Sequence, residues 1–194
     1  MIPITRPDCP WPQALVAGDY KHPKNKLALM QASHGKCMYC ESTIRHIDYG
    51  DVEHIKPKAP DKFPELEFVW ENLGFSCGIC NNNKGESFDT ATPYLNPYGE
   101  DPQDHITFLG WILIPMRGSE RGALTIHDLK LNRPELIEAR RRRIGTFLKA
   151  VEACFRTTNP RLRIAAIEAL KADSQPDMEY SLAIKVATSG QGIV

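Results

Sequence analysis

The sequence has no excess of charge of either sign, because 24 lysines and arginines balance 24 aspartates and glutamates. This balance excludes a uniformly basic coat for nucleic acid, so a nucleic-acid surface must be a local patch or be completed by a partner. Internal repeats and low-complexity tracts are also lacking. The chain is 42% hydrophobic and 25% charged, which excludes collagen-like or disordered architecture and indicates a globular protein.

No apolar run approaches the roughly 20 residues that a membrane-spanning helix needs. The longest candidate, residues 108–116, has the length of a strand and contains a proline. Prolines and an aspartate occupy residues 1–12, where a secretory signal would carry an apolar stretch. We therefore expect a cytoplasmic protein that does not engage a membrane.

Six cysteines are present, and in a reducing compartment paired cysteines are more often metal ligands or catalytic groups than disulfides. Four of them form two Cys-x-x-Cys pairs, Cys37 with Cys40 and Cys77 with Cys80. Four thiolates close a tetrahedral Zn²⁺ site, which is structural because no coordination position remains for water. Two pairs in one short segment argue against a thioredoxin-type redox motif, whereas iron–sulfur ligation stays open beside the favoured zinc.

The placement of prolines, glycines and helix formers predicts three regions. Residues 1–34 form an N-terminal arm that ends in a helix. Residues 35–90 form a small unit that the cysteines staple, because few large apolar residues are available there. Residues 91–194 form a β-hairpin and helices that pack on this unit.

Within these regions the pattern predicts individual elements. Two short strands over 44–47 and 51–55 are expected to pair, and a short helix within 65–73 is expected to bury Phe68, Val69 and Trp70. A second hairpin is expected between 105–115 and 123–127. Further helices are expected over 24–34, from Pro134 to about Phe155, and over 162–172.

The residues that carry chemistry lie between and just after the cysteine pairs. Glu53 directly precedes His54, and Asn81 directly follows the last cysteine of the second pair. A histidine has a pKa near neutrality and can activate water for phosphodiester hydrolysis. Carboxylate and amide oxygens suit Mg²⁺ or Mn²⁺, which neutralises charge on the reacting phosphate. On a strand, Glu53 and His54 point to opposite faces, so one must be re-aimed if both serve one site.

The ordered pattern Cys-x-x-Cys, Glu-His-Ile-x-Pro, Asn-Leu and Cys-x-x-Cys-Asn-x-x-Lys resembles the HNH endonucleases. This resemblance implies an α+β fold with a zinc-stapled ββα-metal core, an additional β-hairpin and C-terminal helices. It also implies that His54 is the general base and that Asn72 holds the loop bearing that base. Asn81 and Glu53 are then the ligands of the catalytic Mg²⁺ or Mn²⁺. Aspartate is commoner than glutamate at this position, so Asp51 is the alternative ligand.

Basic side chains around this motif are candidate phosphate contacts. A run of four arginines inside a predicted helix cannot form one narrow stripe, because successive residues fan out by about 100°. A solvated face with local ion pairs therefore stands beside a phosphate-contacting or partner-docking face. The candidate nucleic-acid-binding residues are Lys56, Lys58, Lys84, Arg140, Arg141, Arg142 and Arg143.

Residues 121–126 and 131–133 resemble a block that follows the HNH core in some bacterial nucleases, including those of Septu-type and retron-associated phage-defence systems. This resemblance implies a nuclease subunit that works with an ATPase subunit encoded nearby. The expected substrate is DNA, and RNA stays open. The alternative is a non-catalytic zinc module that binds nucleic acid or protein, which would need the four cysteines but not the histidine, glutamate and asparagine together.

Overall fold

The structure is a computed structural model that describes residues 1–44 and 49–189. The helices in these ranges are α1 (Pro12–Val16), α2 (Pro23–Ala32), α3 (Gly78–Lys84), α4 (Glu120–Asp128), α5 (Pro134–Arg156), α6 (Pro160–Asp173) and α7 (Ser181–Thr188). The strands are β1 (Asp51–His54), β2 (Leu73–Ser76), β3 (Ile106–Leu109) and β4 (Ile112–Pro115). This mixture of helices with small antiparallel sheets confirms the α+β class.

Strand β1 pairs antiparallel with β2, so that Asp51 lies opposite Ser76 and His54 opposite Leu73. The described partner of β1 is thus β2, and the prediction that β1 pairs with residues 44–47 falls on residues of which 45–47 lie outside the described part of the chain. All four residues of β2 are buried, so this strand lacks the alternation that marks a half-exposed strand in a sequence. Helix α3 follows β2 and packs on β1, which completes a ββα unit.

The second hairpin was predicted with the wrong return strand. Strand β3 pairs with β4 across a tight turn in which Gly110 has a φ of +60°, a value that glycine adopts at little cost. Residues 123–127 belong to helix α4. This helix begins after Ser119, whose Oγ accepts a hydrogen bond from the Gly122 N–H, and such a side-chain cap favours a helix over a strand.

The segment between β1 and β2 contains two 3₁₀ turns, Pro64–Leu66 and Trp70–Asn72, rather than one helix. Trp70 is buried as predicted, but Phe68 is 39% exposed. The helices expected over 24–34, 134–155 and 162–172 are confirmed as α2, α5 and α6 within a few residues. Helices α1 and α7 were not predicted.

One hydrophobic core joins the three regions, since its buried members include Leu29, Leu73, Phe147 and Ile184. Polar contacts fasten the C-terminal region to the first cysteine pair, because the buried Lys36 ammonium donates to the Met178 carbonyl over 3.0 Å. None of the helices in the described ranges has both the length and the hydropathy needed to cross a bilayer.

Candidate functional site

The four paired cysteines form a closed, buried cluster. The Sγ atoms of Cys37, Cys40, Cys77 and Cys80 all lie within 4.8 Å of one another, and those of Cys40 and Cys77 are 3.9 Å apart. Tetrahedral zinc with Zn–S bonds of about 2.3 Å requires sulfur atoms about 3.8 Å apart. The donor set and its spacing therefore fit a structural metal such as zinc.

The surrounding chain explains how these thiolates converge. Cys77 is the N-cap of α3, and its Sγ lies 3.5 Å from the Cys80 N–H, so the second pair straddles the start of that helix. The Arg133 Nη1 lies 3.7 Å from the Cys80 Sγ and Ser42 Oγ lies 3.3 Å from the Cys40 Sγ. Such outer contacts orient the ligands and offset their negative charge.

His54, the last residue of β1, is held in a defined tautomer. Its Nε2 lies 2.9 Å from the backbone carbonyl of Glu67, and a carbonyl only accepts, so Nε2 carries the proton and Nδ1 keeps a lone pair. Burial lowers the pKa of the imidazole and outweighs the hydrogen bond to Glu67. The neutral ring that results can accept a proton at Nδ1 near pH 7.

The Asn72 side chain bonds to backbone on both sides of this histidine. Its Oδ1 accepts from the Lys56 N–H over 2.8 Å, and its Nδ2 donates to the carbonyls of Lys56 and Leu66 over 2.9 and 3.2 Å. Lys56 follows β1, and Leu66 precedes the Glu67 carbonyl that holds the imidazole. One amide therefore fixes both segments between which the histidine is held.

Glu53 points to the opposite side of β1 and is buried with an exposed fraction of 2%. Its Oε1 lies 2.8 Å from the Lys84 Nζ and 3.3 Å from the Tyr39 hydroxyl. The same ammonium donates to the His54 carbonyl over 2.8 Å. Burial raises the pKa of the Glu53 carboxyl despite the nearby Lys84. Lys84, expected to contact a phosphate, is instead buried and held by these partners, because a cation inside the protein must be paired.

Asp51 is the carboxylate that the structure brings to Asn81, with the Asn81 Nδ2 2.9 Å from the Asp51 Oδ2. Both residues are half-buried. Asp51 and Glu53 share one face of β1, and Asn81 and Lys84 lie one turn apart on α3. The sequence pattern had predicted that Glu53 and Asn81 share one cation. In the structure Asn81 lies on Asp51 and Glu53 on Lys84, and both carboxylates lie on the face of β1 opposite to the His54 side chain.

A second group of side chains surrounds His54 and was not recognised from the sequence. The Tyr20 ring meets the His54 ring edge-on with centroids 4.6 Å apart. The Tyr20 hydroxyl accepts from the Lys58 Nζ over 3.2 Å, and that ammonium also pairs with the Glu67 carboxylate at 2.5 Å. Lys58 was predicted as a phosphate contact and here bridges these groups. No local motif marks Tyr20, because it lies in the loop before α2, far from His54 in the sequence.

The four-arginine run is divided by the helix that carries it. Arg140 is buried with an exposed fraction of 1%, and Arg143 is bound by Asp173 with an Nη1–Oδ2 distance of 2.8 Å. Both were predicted to contact nucleic acid, and neither presents a free cation to solvent. Only Arg141 and Arg142 are exposed, because the helical period turns the other two towards the protein. Lys56 is exposed as well.

Comparisons with known proteins agree with this geometry. Residues 37–87 match the profile of the HNH endonuclease family. The Septu protein PtuB of Bacillus thuringiensis is 33% identical over 177 residues, which cover 84% of this chain and 67% of that protein. The Septu protein PtuB of Bacillus mycoides (strain KBAB4) is 29% identical over 150 residues, covering 62% of this chain and about half, 51%, of that relative. The chain therefore belongs to the Septu PtuB family and carries an HNH endonuclease domain over residues 37–87, which includes both cysteine pairs.

Proposed function

We propose that this chain is a metal-dependent endonuclease that hydrolyses phosphodiester bonds of DNA, with His54 as the general base. The observation that carries the proposal is the 2.9 Å contact between the His54 Nε2 and the Glu67 carbonyl. This contact leaves Nδ1 as the proton acceptor of a neutral ring. In the reaction, Nδ1 takes a proton from water as the water oxygen attacks phosphorus, and the bond to the leaving oxygen breaks.

Asp51 and Asn81 are the residues that would hold the catalytic divalent cation. Their oxygens are the hard ligands that Mg²⁺ and Mn²⁺ prefer, and two protein ligands leave the remaining positions for water and phosphate. When bound, such a cation neutralises charge on the phosphate oxygens. Glu53 then acts indirectly, because its pair with Lys84 fixes the backbone of His54 through the Lys84 hydrogen bond.

The zinc site has a separate role in this proposal. Cys77 and Cys80 lie at the first turn of α3, the helix that carries Asn81. Tying that turn to the first cysteine pair holds α3 in place beside β1. Zinc is thus a structural element that positions the hydrolytic site and takes no part in the reaction.

We also propose that the chain is the nuclease subunit of a phage-defence complex that contains an ATPase. Its similarity to two Septu proteins supports this assignment. The balanced charge of the chain also fits a subunit that shares its grip on nucleic acid with a partner. Co-purification of the tagged chain with a neighbouring ATPase tests the association.

Cleavage of supercoiled plasmid with added Mg²⁺ or Mn²⁺ tests the proposed reaction. We expect His54→Ala to lower the rate by at least about 100-fold, the usual contribution of a general base. The matched control is His127→Ala, since this imidazole is exposed on α4 with a side-chain exposure of 88%. If the chain is silent alone, the assay is repeated with its ATPase co-expressed, and an RNA substrate runs in parallel.

Equal rates for wild type and His54→Ala would contradict the proposal. Absence of cleavage in every form, with zinc and nucleic-acid binding retained, would identify a binding module instead. Zinc content and circular dichroism are measured for every variant and must match, so that a change in rate does not reflect unfolding or loss of zinc.

A further inference from the structure

A groove of about 530 Å³ lies between the β3–β4 turn and the exposed side of α5, away from the residues assigned to hydrolysis. We call it the α5 groove, and its lining includes Trp111, Arg141, Arg142, Gly145, Leu148 and Lys149. Residues 141, 145, 148 and 149 recur at the helical period, so they share one face. The buried Ile144 lies at the edge of the groove, and the opposite face of α5 supplies the buried Phe147 and Val151.

Every ionisable side chain that lines the α5 groove is basic. Arg141 and Arg142 both lie near Glu138, with Nε–Oε distances of 3.1 and 4.0 Å. These pairs are exposed and weak, and each guanidinium has five N–H donors, so most donors stay available to another anion. A protein with no net charge thus concentrates positive charge at this face.

Two further features of the groove fit a ligand that carries a flat ring and approaches the helix closely. The Trp111 side chain is 43% exposed at the β3–β4 turn, which leaves part of its indole open to a planar partner. Gly145 lies inside a 23-residue helix, where glycine is unfavourable relative to alanine. A Cβ at this position would meet nothing within 4 Å, so packing within the described chain does not require glycine. The bare backbone instead lets an occupant approach the helix closely.

We propose that the α5 groove binds an unpaired segment of nucleic acid, with a base stacked on Trp111 and phosphates bound by Arg141, Arg142 and Lys149. The combination of positive charge with an exposed aromatic ring is complementary to a polyanion that carries flat bases. Stacking on a side chain requires a base outside the duplex, so the groove favours single strands. This inference extends the proposed nuclease function by a second contact, but the binding itself does not depend on cleavage.

Fluorescence anisotropy with a labelled thymidine 20-mer, intact chain and no added divalent cation tests the groove. We expect Trp111→Ala to weaken binding about tenfold, in line with the loss of one stacked base. The double variant Arg141→Gln/Arg142→Gln should reduce the slope of log affinity against log salt by about 1.4, because each single-strand phosphate contact contributes about 0.7. Gly145→Glu should also weaken binding, because it places a negative charge in the groove.

Matched controls on α5 and on α6, which packs against it, separate the groove from general surface effects. Phe155→Ala removes an exposed aromatic ring, and Arg161→Gln/Arg163→Gln removes two exposed charges, all outside the groove. Gly145→Ala adds only the Cβ and should weaken binding less than Gly145→Glu does, because it narrows the approach to the helix without adding a negative charge. The two control variants outside the groove should bind the oligonucleotide as wild type does, and circular dichroism should show that every variant is folded.

Groove variants that bind like wild type would overturn the proposal, as would wild-type protein that does not bind the 20-mer at low salt. Loss of an ATPase partner with unchanged oligonucleotide binding would identify a protein-docking surface instead and also overturn it. His54→Ala should bind the 20-mer normally. If wild type binds through Trp111 but cleaves nothing, the nuclease proposal fails while the groove stands.

Discussion

At the scale of single residues, the site depends on which atom of each side chain is already engaged. The His54 Nε2–H donates a hydrogen bond to the Glu67 carbonyl, which leaves Nδ1 as the proton acceptor in the proposed reaction. The Glu53 carboxylate forms an ion pair with Lys84, whereas the Asp51 carboxylate accepts a hydrogen bond from the Asn81 side-chain amide. Two acidic residues on one face of a short strand thus make different contacts, because different residues of α3 lie opposite them.

Tyr20 is the residue whose contribution a substitution isolates most clearly. Its ring packs edge-on against His54 and restricts the orientation of the imidazole. We expect Tyr20→Ala to lower kcat about tenfold with little change in KM, because misplacement of a base slows chemistry more than it weakens binding. Initial-rate kinetics on plasmid or oligonucleotide substrate measure both constants.

Tyr20→Phe is the matched control, because it keeps the ring and removes only the hydroxyl that Lys58 contacts. It should retain most of the wild-type kcat. A Phe variant as slow as the Ala variant, at unchanged melting temperature, would assign the effect to the hydroxyl and contradict positioning by the ring.

At this scale the sequence predicted the four-cysteine cluster but not the contacts around the candidate site. The order of cysteines, histidine and asparagines predicts the region of the proposed hydrolytic site. The choice between Asp51 and Glu53 depends on which turn of α3 lies opposite each carboxylate, and strand alternation alone does not supply that register. Tyr20 was missed because it approaches His54 only through the tertiary fold.

At the scale of elements, α3 connects the four-cysteine cluster to the proposed hydrolytic site. Its first turn carries Cys80, its middle carries Asn81 and its last residue is Lys84. Structural zinc contributes roughly 10–16 kcal/mol of binding free energy in small zinc domains. This is comparable to the whole unfolding free energy of a typical domain, about 5–15 kcal/mol. The position of α3 therefore depends on the metal.

We expect Cys77→Ser to lose zinc and to release α3 from β1. Zinc content measured by mass spectrometry should fall towards zero, and hydrogen exchange of the β2 and α3 amides should accelerate. Cleavage should be lost together with these changes. Cys9→Ser is the control, because Cys9 lies outside the cluster and its nearest polar partner is Asn25. A Cys77→Ser protein with full zinc and normal exchange would contradict this role.

Helices α2, α5 and α6 were predictable because each begins at a proline and continues in helix-forming residues. The errors arose where burial or capping overrode the local pattern. The return strand predicted at residues 123–127 is helical because Ser119 caps α4. Strand β2 was missed because its four residues, Leu-Gly-Phe-Ser, include a glycine and a serine and give no clear strand pattern, although all of them are buried.

At the scale of the whole molecule, two kinds of potential metal-ligating atom lie in two separate regions. Four soft thiolates converge in a closed cluster, whereas hard oxygen donors lie between β1 and α3. Soft thiolates in a tetrahedral arrangement favour zinc, whereas hard oxygen ligands favour Mg²⁺ or Mn²⁺. Under the proposed function, one chain would hold two metals with different functions.

Anomalous X-ray diffraction from crystals soaked in Mn²⁺ measures this separation directly. Data collected at the zinc and manganese edges should give one zinc peak among the four Sγ atoms. A distinct manganese peak should lie about 2 Å from oxygens of Asp51 and Asn81. A manganese peak at the cysteine cluster alone, or on Glu53 without Asp51, would contradict the account.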